Sequence, residues 1–515
     1  MTAQPSSFAE LVRRATAAQP DRQAVADEQR SLTWRELSDS ISRLAAALAG
    51  TGLRSGDRLA LQAPSSVEFV LCYLAALQAG LVVVPINPAY TLPEVEHIVA
   101  DSGARLLASA SVPVLTAAAE LRDRYDGLQV LAAAGAGSDE LPSLAGLLAA
   151  AGDQRLDADG RRDDDLAVLL YTSGTSGRPK GAMLPVRALL ANLDQLARLD
   201  PPPITADDRV FLPLPLFHVF GLNAGLGLAL WFGASLTLSA RFDAAGTLRA
   251  MAAAGATAVV GAPLEYARWA QQAELAEGFG QVRLALSGSA PLDPGLIARY
   301  AELGVALHEG YGLTEAAPVV TLDLTPADGG GWRPAKPGSV GRPLPGVQLR
   351  LVDADREPVE PGDLGFVEVC GPNLFTGYWP DGAGGPDADG WFGTGDLAVA
   401  DDDGDHYLVG RRSDLVLVNG FNVYPAEVEA VFSKLPGVRE VAVLGLVEGS
   451  TDEVLVAYVV PADGVELDPD ALLEQAAGSL ARFKLPRRVI EVATLPYTAT
   501  GKVMKWRLRP SGQDG

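Results

Sequence analysis

The sequence predicts an α/β chain of two parts: a large N-terminal α/β domain carrying a β-rich subdomain, and a small α+β C-terminal domain. Three observations predict it. From Leu32 onward, amphipathic helical stretches alternate with short apolar runs, the pattern of βαβ units. Between Gly338 and Tyr407 the pattern changes to short strand-like runs broken by Gly-Pro and Asp-Gly turns. Beyond Arg411, a helix opening at Pro425, apolar runs over 438–446 and 453–460, and a helical stretch over 468–481 form a compact unit of their own. The border is expected between residues 412 and 413, which divides the chain into 1–412 and 413–515.

Taken in order, residues 34–53 read as an amphipathic helix and 58–62 and 81–85 as strands. The nearly continuous apolar stretch 69–86 is interrupted by Gln78, Gly80 and Pro85, so it reads as a helix followed by a buried strand, not a membrane span. The Ala-rich segment 131–151 carries Leu at helical intervals and is expected to form surface helices. Runs over 166–172, 258–261 and 282–287 read as strands, each ending in a Gly, Ser, Thr or Pro loop. Ligand sites of open α/β sheets favour such strand ends.

At 515 residues the chain exceeds a single ordinary domain, and its 48% hydrophobic and 20% charged content is that of a globular protein. A formal charge of −23 argues against a broad nucleic-acid or anionic-membrane surface, so any phosphate ligand must be held locally. Cys72 and Cys370 cannot build a disulfide framework or a multi-cysteine metal site, which fits a reducing cytoplasm. Arg13-Arg14 is followed by a stretch too short and polar for an export signal.

The strongest local signal is Tyr171-Thr-Ser-Gly-Thr-Ser-Gly-Arg-Pro-Lys180-Gly181, directly after an apolar strand. Glycines let backbone N–H groups approach phosphate oxygens, hydroxyls donate further hydrogen bonds, and lysine supplies charge, a composition suited to a polyphosphate. The Walker A spacing is absent. A flexible Ser/Gly linker is the bland alternative, and it would need no strand before it. Three further segments follow: Gly310-Tyr-Gly-Leu-Thr-Glu315, Gly393-Thr-Gly-Asp396 with Gly410-Arg411, and Thr498-Ala-Thr-Gly-Lys502.

In this order, and with Gly420-Phe-Asn-Val-Tyr-Pro-Ala-Glu-Val-Glu429, the set resembles the adenylate-forming superfamily, and within it the acyl-CoA synthetases that ligate fatty or aryl acids to CoA. The resemblance implies the adenylate-forming fold, with ATP, Mg2+ and CoA as cofactor and cosubstrates. It implies that Thr172, Ser173, Gly174, Thr175 and Lys180 hold the phosphates, that Gly288, Ser289 and Ala290 wall the nucleotide groove, and that Tyr311 and Gly312 meet adenine. Thr314 would touch the phosphoryl group, Glu315 would ligate Mg2+, and Asp396 and Arg411 would contact ribose. Lys502 is the expected adenylation catalyst, because a carboxylate attacking the α-phosphate brings two anions together and needs a cation between them. Since one lysine serves one step, the resemblance further implies that the C-terminal domain turns about Ser413 and presents Asn419, Gly420 and Phe421 as a thiol tunnel. Two departures stand out: relatives often carry Lys or Asp where this chain has Ser413, and Thr-His where it has Pro185-Val186, which puts a capping role at that helix start in doubt.

His218, Phe220, Leu222, Gly261 and Tyr266 lie where relatives often contact the acyl group, with His218 a second candidate catalytic residue that either orients the carboxylate or packs in a loop. Leu226, Leu228 and Trp231 add apolar surface, and the stretch 222–231 holds no cation, which disfavours a dicarboxylate such as malonate; His218 in place of Asp disfavours an amino acid. The expected reaction joins an apolar acid to AMP and then to CoA. An acyl-AMP ligase loading an acyl carrier protein and a non-catalytic acyl-nucleotide sensor are the alternatives; the sensor would have lost the cation or metal ligand, yet Lys180, Glu315 and Lys502 are all present. Gly393-Thr-Gly-Asp-Leu-Ala398 mimics a dinucleotide fingerprint but runs into a turn. The segments 387–390 and 401–404 lack the first EF-hand ligand and read as solvated turns, and the histidines lack zinc-site spacing.

Overall fold

The computed structural model describes residues 5–133, 141–157, 163–172, 179–327, 332–411, 414–418, 421–448, 452–498 and 502–508. Ser173, Gly174 and Thr175 of the expected phosphate loop, the expected hinge residue Ser413, and Asn419 and Gly420 of the expected tunnel lie outside these residues. The chain falls into two compact units, Met1–Gln348 with Cys370–Phe392, and Leu349–Val369 with Gly393–Gly515. This grouping packs most of the β-rich strands with the C-terminal residues, whereas the hinge expected from the sequence is a separate matter of motion, taken up below as a proposal.

The first unit holds two sheets. One has six strands in the order Gln129–Ala132, Leu106–Ser109, Arg58–Gln62, Val82–Ile86, Leu166–Thr172 and Lys180–Pro185. All neighbours pair in parallel except the last two. The other has nine strands, with Gln23–Ala26, Ser235–Leu238, Arg209–Leu212, Ala258–Gly261, Leu284–Ser287 and Ala306–Gly312 running parallel through its middle. Antiparallel strands close both edges.

Local sequence explains the elements. Thr33 and Glu36 form a capping box at the start of helix Trp34–Gly50, and Trp34, Leu37, Ile41, Leu44, Ala45 and Leu48 bury one face at helical spacing. Helix Val67–Gln78 is buried at every residue but Glu68 and is followed by the fully buried strand Val82–Ile86, as expected for a covered parallel sheet. Among the described residues no helix is long and apolar enough to cross a membrane.

The second unit contains the sheet Gln348–Val352, Gly365–Cys370, Trp391–Ala400 and His406–Arg411, then Val416–Val418 paired with Phe421–Val423. A three-stranded sheet of Val438–Glu448, Asp452–Pro461 and Arg488–Glu491 follows, with helices Pro425–Phe432 and Pro469–Ala477. Val428, Phe432, Val443, Leu455, Val459 and Leu472 share its core. Asp401 ends a strand in a turn, its Oδ1 accepting from the N–H groups of Asp403 and Asp405.

One local reading changes, and two further segments gain a structural setting. The Ala-rich segment does not begin as a surface helix: Leu131 and Ala132 end a buried strand, and among the described residues its helix is Leu144–Ala150. Arg13 and Arg14 sit within helix Phe8–Ala18, capped by Ser7, where Arg14 pairs with Glu10 one turn earlier. The apolar stretch after His218 is a π-helix, Phe220–Gly227, continued by helix Leu228–Phe232; π-turns recur at functional sites, and simple apolar periodicity does not announce them.

Candidate active site

Strand Leu166–Thr172 delivers Tyr171 and Thr172 to the end of the six-stranded sheet, and Thr172 pairs with Lys180 on the returning strand. The two described strands that flank the expected phosphate-holding segment are thus paired with each other. Tyr171 donates its hydroxyl to Asp101 Oδ2 at 2.5 Å, and the Trp379 indole N–H donates to the Asp101 carbonyl at 2.8 Å, which fixes the loop's root. Helix Val186–Ala197 begins directly after that ladder. Pro185 at its N-cap offers no side-chain bond, as the Pro185-Val186 departure led us to expect; the N–H groups of Val186 and Arg187 instead donate to the carbonyls of Asp165 and Asp163 at 3.0 and 2.8 Å.

In the nine-stranded sheet, strand Ala306–Gly312 ends in Gly310, Tyr311 and Gly312, and a short 3-10 turn, Thr314–Ala316, carries Thr314 and Glu315. Gly312 is required by space, since a Cβ there would lie 2.2 Å from the Pro318 carbonyl oxygen. On the neighbouring strand end, a Cβ on Gly288 would stand 3.2 Å from the Phe220 ring and 3.3 Å from the Gly310 carbonyl. Gly288, Phe220 and Gly310 therefore meet at one junction. Ser289 takes φ +76°, the left-handed region that non-glycine residues seldom enter, and leads to Ala290.

A strap from Asn373 to Trp379 joins the two strand ends. The Phe375 N–H donates to the Glu315 carbonyl at 2.8 Å, Thr376 N–H to Met183 at 3.1 Å, Met183 N–H to Gly377 at 3.0 Å and Trp379 N–H to Gly181 at 2.8 Å. Asn373 is buried, donating to the Ala316 carbonyl at 2.8 Å and accepting from Gln195 at 3.1 Å. On this strap Tyr378 donates its hydroxyl to Glu315 Oε1 at 2.5 Å, while the Lys180 ammonium stands 5.5 Å from its ring centroid. Lys180 and Glu315, read from motifs 135 residues apart in sequence (315 − 180), thus share one neighbour. Tyr378 itself escaped the sequence reading because Gly-Tyr-Trp-Pro after an apolar run looks like core.

The expected acyl residues divide. His218 packs its ring on Phe217 at a centroid distance of 4.8 Å, and burial pushes its imidazole down to about 4, so it is neutral at physiological pH despite some remaining surface. It is thereby a hydrogen-bonding group and not a cation. Phe220 is half-buried, but Leu222, Leu226 and Leu228 are closed off from solvent and fill the interior. Tyr266 is likewise buried: helix Pro263–Trp269 turns it inward with Trp269, its hydroxyl donates to the Leu286 carbonyl at 2.9 Å, and its ring meets Trp269 and Tyr300 edge-on. Gly261 lies beneath it, a Cβ there coming within 2.9 Å of the Glu265 carboxylate and 3.3 Å of the Tyr266 ring. Glu265 caps that helix through the Ala262 N–H at 2.8 Å, and burial raises its carboxyl to about 7.

In the second unit Asp396 and Arg411 are cross-strand partners, and the buried carboxylate accepts from Arg411 Nε at 2.8 Å. Lys502 closes a turn in which its N–H donates to Thr498 Oγ1 at 3.0 Å and its carbonyl accepts from Thr498 N–H at 2.8 Å. Surrounding protein lowers its ammonium pKa even though the residue as a whole stays exposed; Arg411 adds to this, and Asp414 and Asp396 oppose it. Lys502, Asp396 and Arg411 therefore occupy one electrostatic neighbourhood. Phe421 opens a strand in the same unit.

A family model described as AMP-binding enzyme matches residues 12–379, and one described as AMP-binding enzyme C-terminal domain matches residues 427–502. The chain belongs to the AMP-binding enzyme family. This AMP-binding enzyme is 37% identical over 510 residues to a feruloyl-CoA synthase of Amycolatopsis sp., with 97% of each chain covered. It is 33% identical over 537 residues to a long-chain-fatty-acid–CoA ligase of Salmonella typhimurium, covering 98% of this chain and 94% of the relative. Among solved structures it is similar to ATP-bound MatB from Rhodopseudomonas palustris, with a TM-score of 0.89 at 36% identity and with 98% and 99% of the two chains covered. The AMP-binding enzyme is an ATP-dependent acid:CoA ligase that works through an acyl-adenylate.

Proposed function

We propose that this ligase activates an apolar monocarboxylic acid, fatty or aryl. The observation that carries this reading is the junction of Phe220, Gly288 and Gly310, where an apolar ring abuts a glycine at the meeting of the expected nucleotide wall and the expected acyl site. His218 beside it is neutral, so it can donate one N–H to a carboxylate but offers no charge to a second one. The names of the relatives, feruloyl-CoA synthase and long-chain-fatty-acid–CoA ligase, agree in an apolar acyl body.

In this reading Thr172, Ser173, Gly174, Thr175 and Lys180 hold the ATP phosphates, and Gly288, Ser289, Ala290, Tyr311 and Gly312 hold adenine. Thr314 meets the phosphoryl group, and Asp396 with Arg411 meets ribose. The donor chemistry at Glu315 fits Mg2+: a carboxylate whose Oε2 accepts no hydrogen bond from the described residues is an oxygen donor open to a hard cation. The bound ion would supply positive charge to the phosphate oxygens. Lys502 brings the remaining cation between the acid's carboxylate and the α-phosphate. The carboxylate oxygen bonds to phosphorus as pyrophosphate leaves, and the CoA sulfur then bonds to the acyl carbon as AMP leaves. For that second step the part from Ser413 onward turns and offers Asn419, Gly420 and Phe421 to the thiol.

A panel of acids assayed for ATP–pyrophosphate exchange and for acyl-CoA formation tests the proposal. Aryl-propenoic and fatty acids should exceed dicarboxylic and amino acids in kcat/KM by at least about 100-fold, the scale set by burying a second charge without a partner. A dicarboxylate or amino acid at the head of the panel would overturn it.

A further inference from the structure

Lys180 and Glu315 present opposite charges from adjacent elements, and a direct ion pair between them would neutralise the groups that nucleotide and cation need. Among the described residues the two do not pair with each other; each is engaged by Tyr378 instead. We propose that Tyr378 is a positioning residue that keeps Glu315 and Lys180 apart and separately aimed, the carboxylate by a hydrogen bond and the ammonium by the ring face. The proposal rests on the reading of Glu315 as the cation ligand and Lys180 as a phosphate holder.

The ring's place is set by main chain. Tyr378 N–H donates to the Ala383 carbonyl at 3.0 Å, its carbonyl accepts from Gly382 N–H at 2.8 Å, and both neighbours are bonded to the strand that carries Lys180. Phe375 meets the ring edge-on at 5.1 Å, and Phe392 backs Phe375 at 5.1 Å. Gly384, at φ +70°, leaves the ring its space, for a Cβ there would come within 3.2 Å of it. A phenol held this firmly donates to one carboxylate oxygen and so fixes the rotamer that points the other oxygen. An ammonium within about 6 Å of a ring centroid is attracted to the face without surrendering its hydrogen-bond donors. Both interactions are weaker than a desolvated ion pair, so ATP and its cation can displace or extend them.

The two halves separate by substitution. Tyr378→Phe removes the donor and keeps the ring; Tyr378→Leu removes both and lets Lys180 and Glu315 pair. The probe is Mn2+, titrated by electron paramagnetic resonance into enzyme holding α,β-methylene-ATP, with Glu315→Gln as control. For Tyr378→Phe we expect the Mn2+ Kd to rise about tenfold, the scale for groups that orient a metal ligand, with the analogue's metal-free affinity changed less than about twofold. For Tyr378→Leu we expect in addition a KM for ATP raised about tenfold or more in pyrophosphate exchange. Melting temperatures check that each variant is folded, and Tyr378→Phe, nearly isosteric, keeps the first arm readable if Tyr378→Leu unfolds. If Glu315→Gln weakens Mn2+ binding and Tyr378→Phe does not, the positioning role is overturned while the ligand reading stands. If Glu315→Gln itself leaves Mn2+ binding unchanged, the ligand reading is what has failed.

Discussion

Two lysines do the electrostatic work proposed for this ligase, and they are mounted differently. Lys180 lies on a strand whose neighbours are laddered to Leu166–Thr172 on one side and to the strap on the other, with its ammonium over the Tyr378 ring. Lys502 hangs from a turn closed by two hydrogen bonds to Thr498, and its pKa is lowered by the protein and by Arg411. The first mounting suits a group that must stand still while a polyanion binds. The second suits a group that must arrive for one step and leave before the next, because few bonds need to break for it to move. Equal charge on the two side chains therefore implies different kinetic signatures.

Removing the arriving lysine gives the largest expected effect. Lys502→Ala should lower kcat for acyl-adenylate formation by about 100- to 1000-fold, the range for loss of a group that stabilises developing charge, while thioester formation from supplied acyl-AMP falls far less. Pyrophosphate exchange and a CoA-trapping assay measure the two half-reactions separately. Equal losses in both would erase the distinction between the lysines. Lys180→Ala should instead appear in binding, with KM for ATP raised about tenfold and kcat less affected, as expected for a group that contacts ground and transition states alike. A kcat effect as large as that of Lys502→Ala would mean that the standing lysine also acts in the chemical step.

Gly420→Leu, second only to Lys502→Ala in expected size, sharpens the comparison by attacking the step that follows departure of Lys502. A side chain in the proposed thiol tunnel should cut acyl-CoA formation by about 100-fold, on the scale of a misplaced reactant, and spare pyrophosphate exchange. Unimpaired thioester synthesis would remove Gly420 from the tunnel.

The same contrast explains what the sequence made legible. Strands Arg58–Gln62, Leu166–Thr172 and Ala258–Gly261 were readable to the residue because apolar runs in a covered parallel sheet end where Gly, Ser or Thr must turn the chain. Lys180 and Glu315 were readable because motif glycines frame them. Tyr378 was not, since nothing local distinguishes a buried tyrosine from one whose hydroxyl reaches a carboxylate 63 residues earlier in the chain. The burial of Tyr266 and Leu222 was not legible for the converse reason: apolar residues next to a site and apolar residues beneath it share one composition, and only helix phase separates them. The two edges of the β-rich segment were also hard to place, because its strands pack with residues that follow far later.

The smallest expected effect probes the standing side from beneath. Glu309 precedes Gly310 and Tyr311 on the strand that leads to Glu315, and its carboxyl is buried. Burial raises its pKa from 4.5 to about 8, with Asp323 adding to the rise and the Leu292 N–H opposing it. Between those two values the folded chain keeps a proton that the unfolded chain releases. Stability from this group is therefore complete below pH 4.5 and is lost as pH climbs toward 8, at up to about 1.4 kcal/mol per pH unit. Glutamine imitates the protonated acid and cannot ionise. Glu309→Gln should thus match the parent near pH 5 and melt above it by a margin that widens to several degrees near pH 8, in melting curves taken at half-unit steps. Parallel curves would mean that Glu309 is ionised in the fold, and that the strand leading to Glu315 carries a buried negative charge.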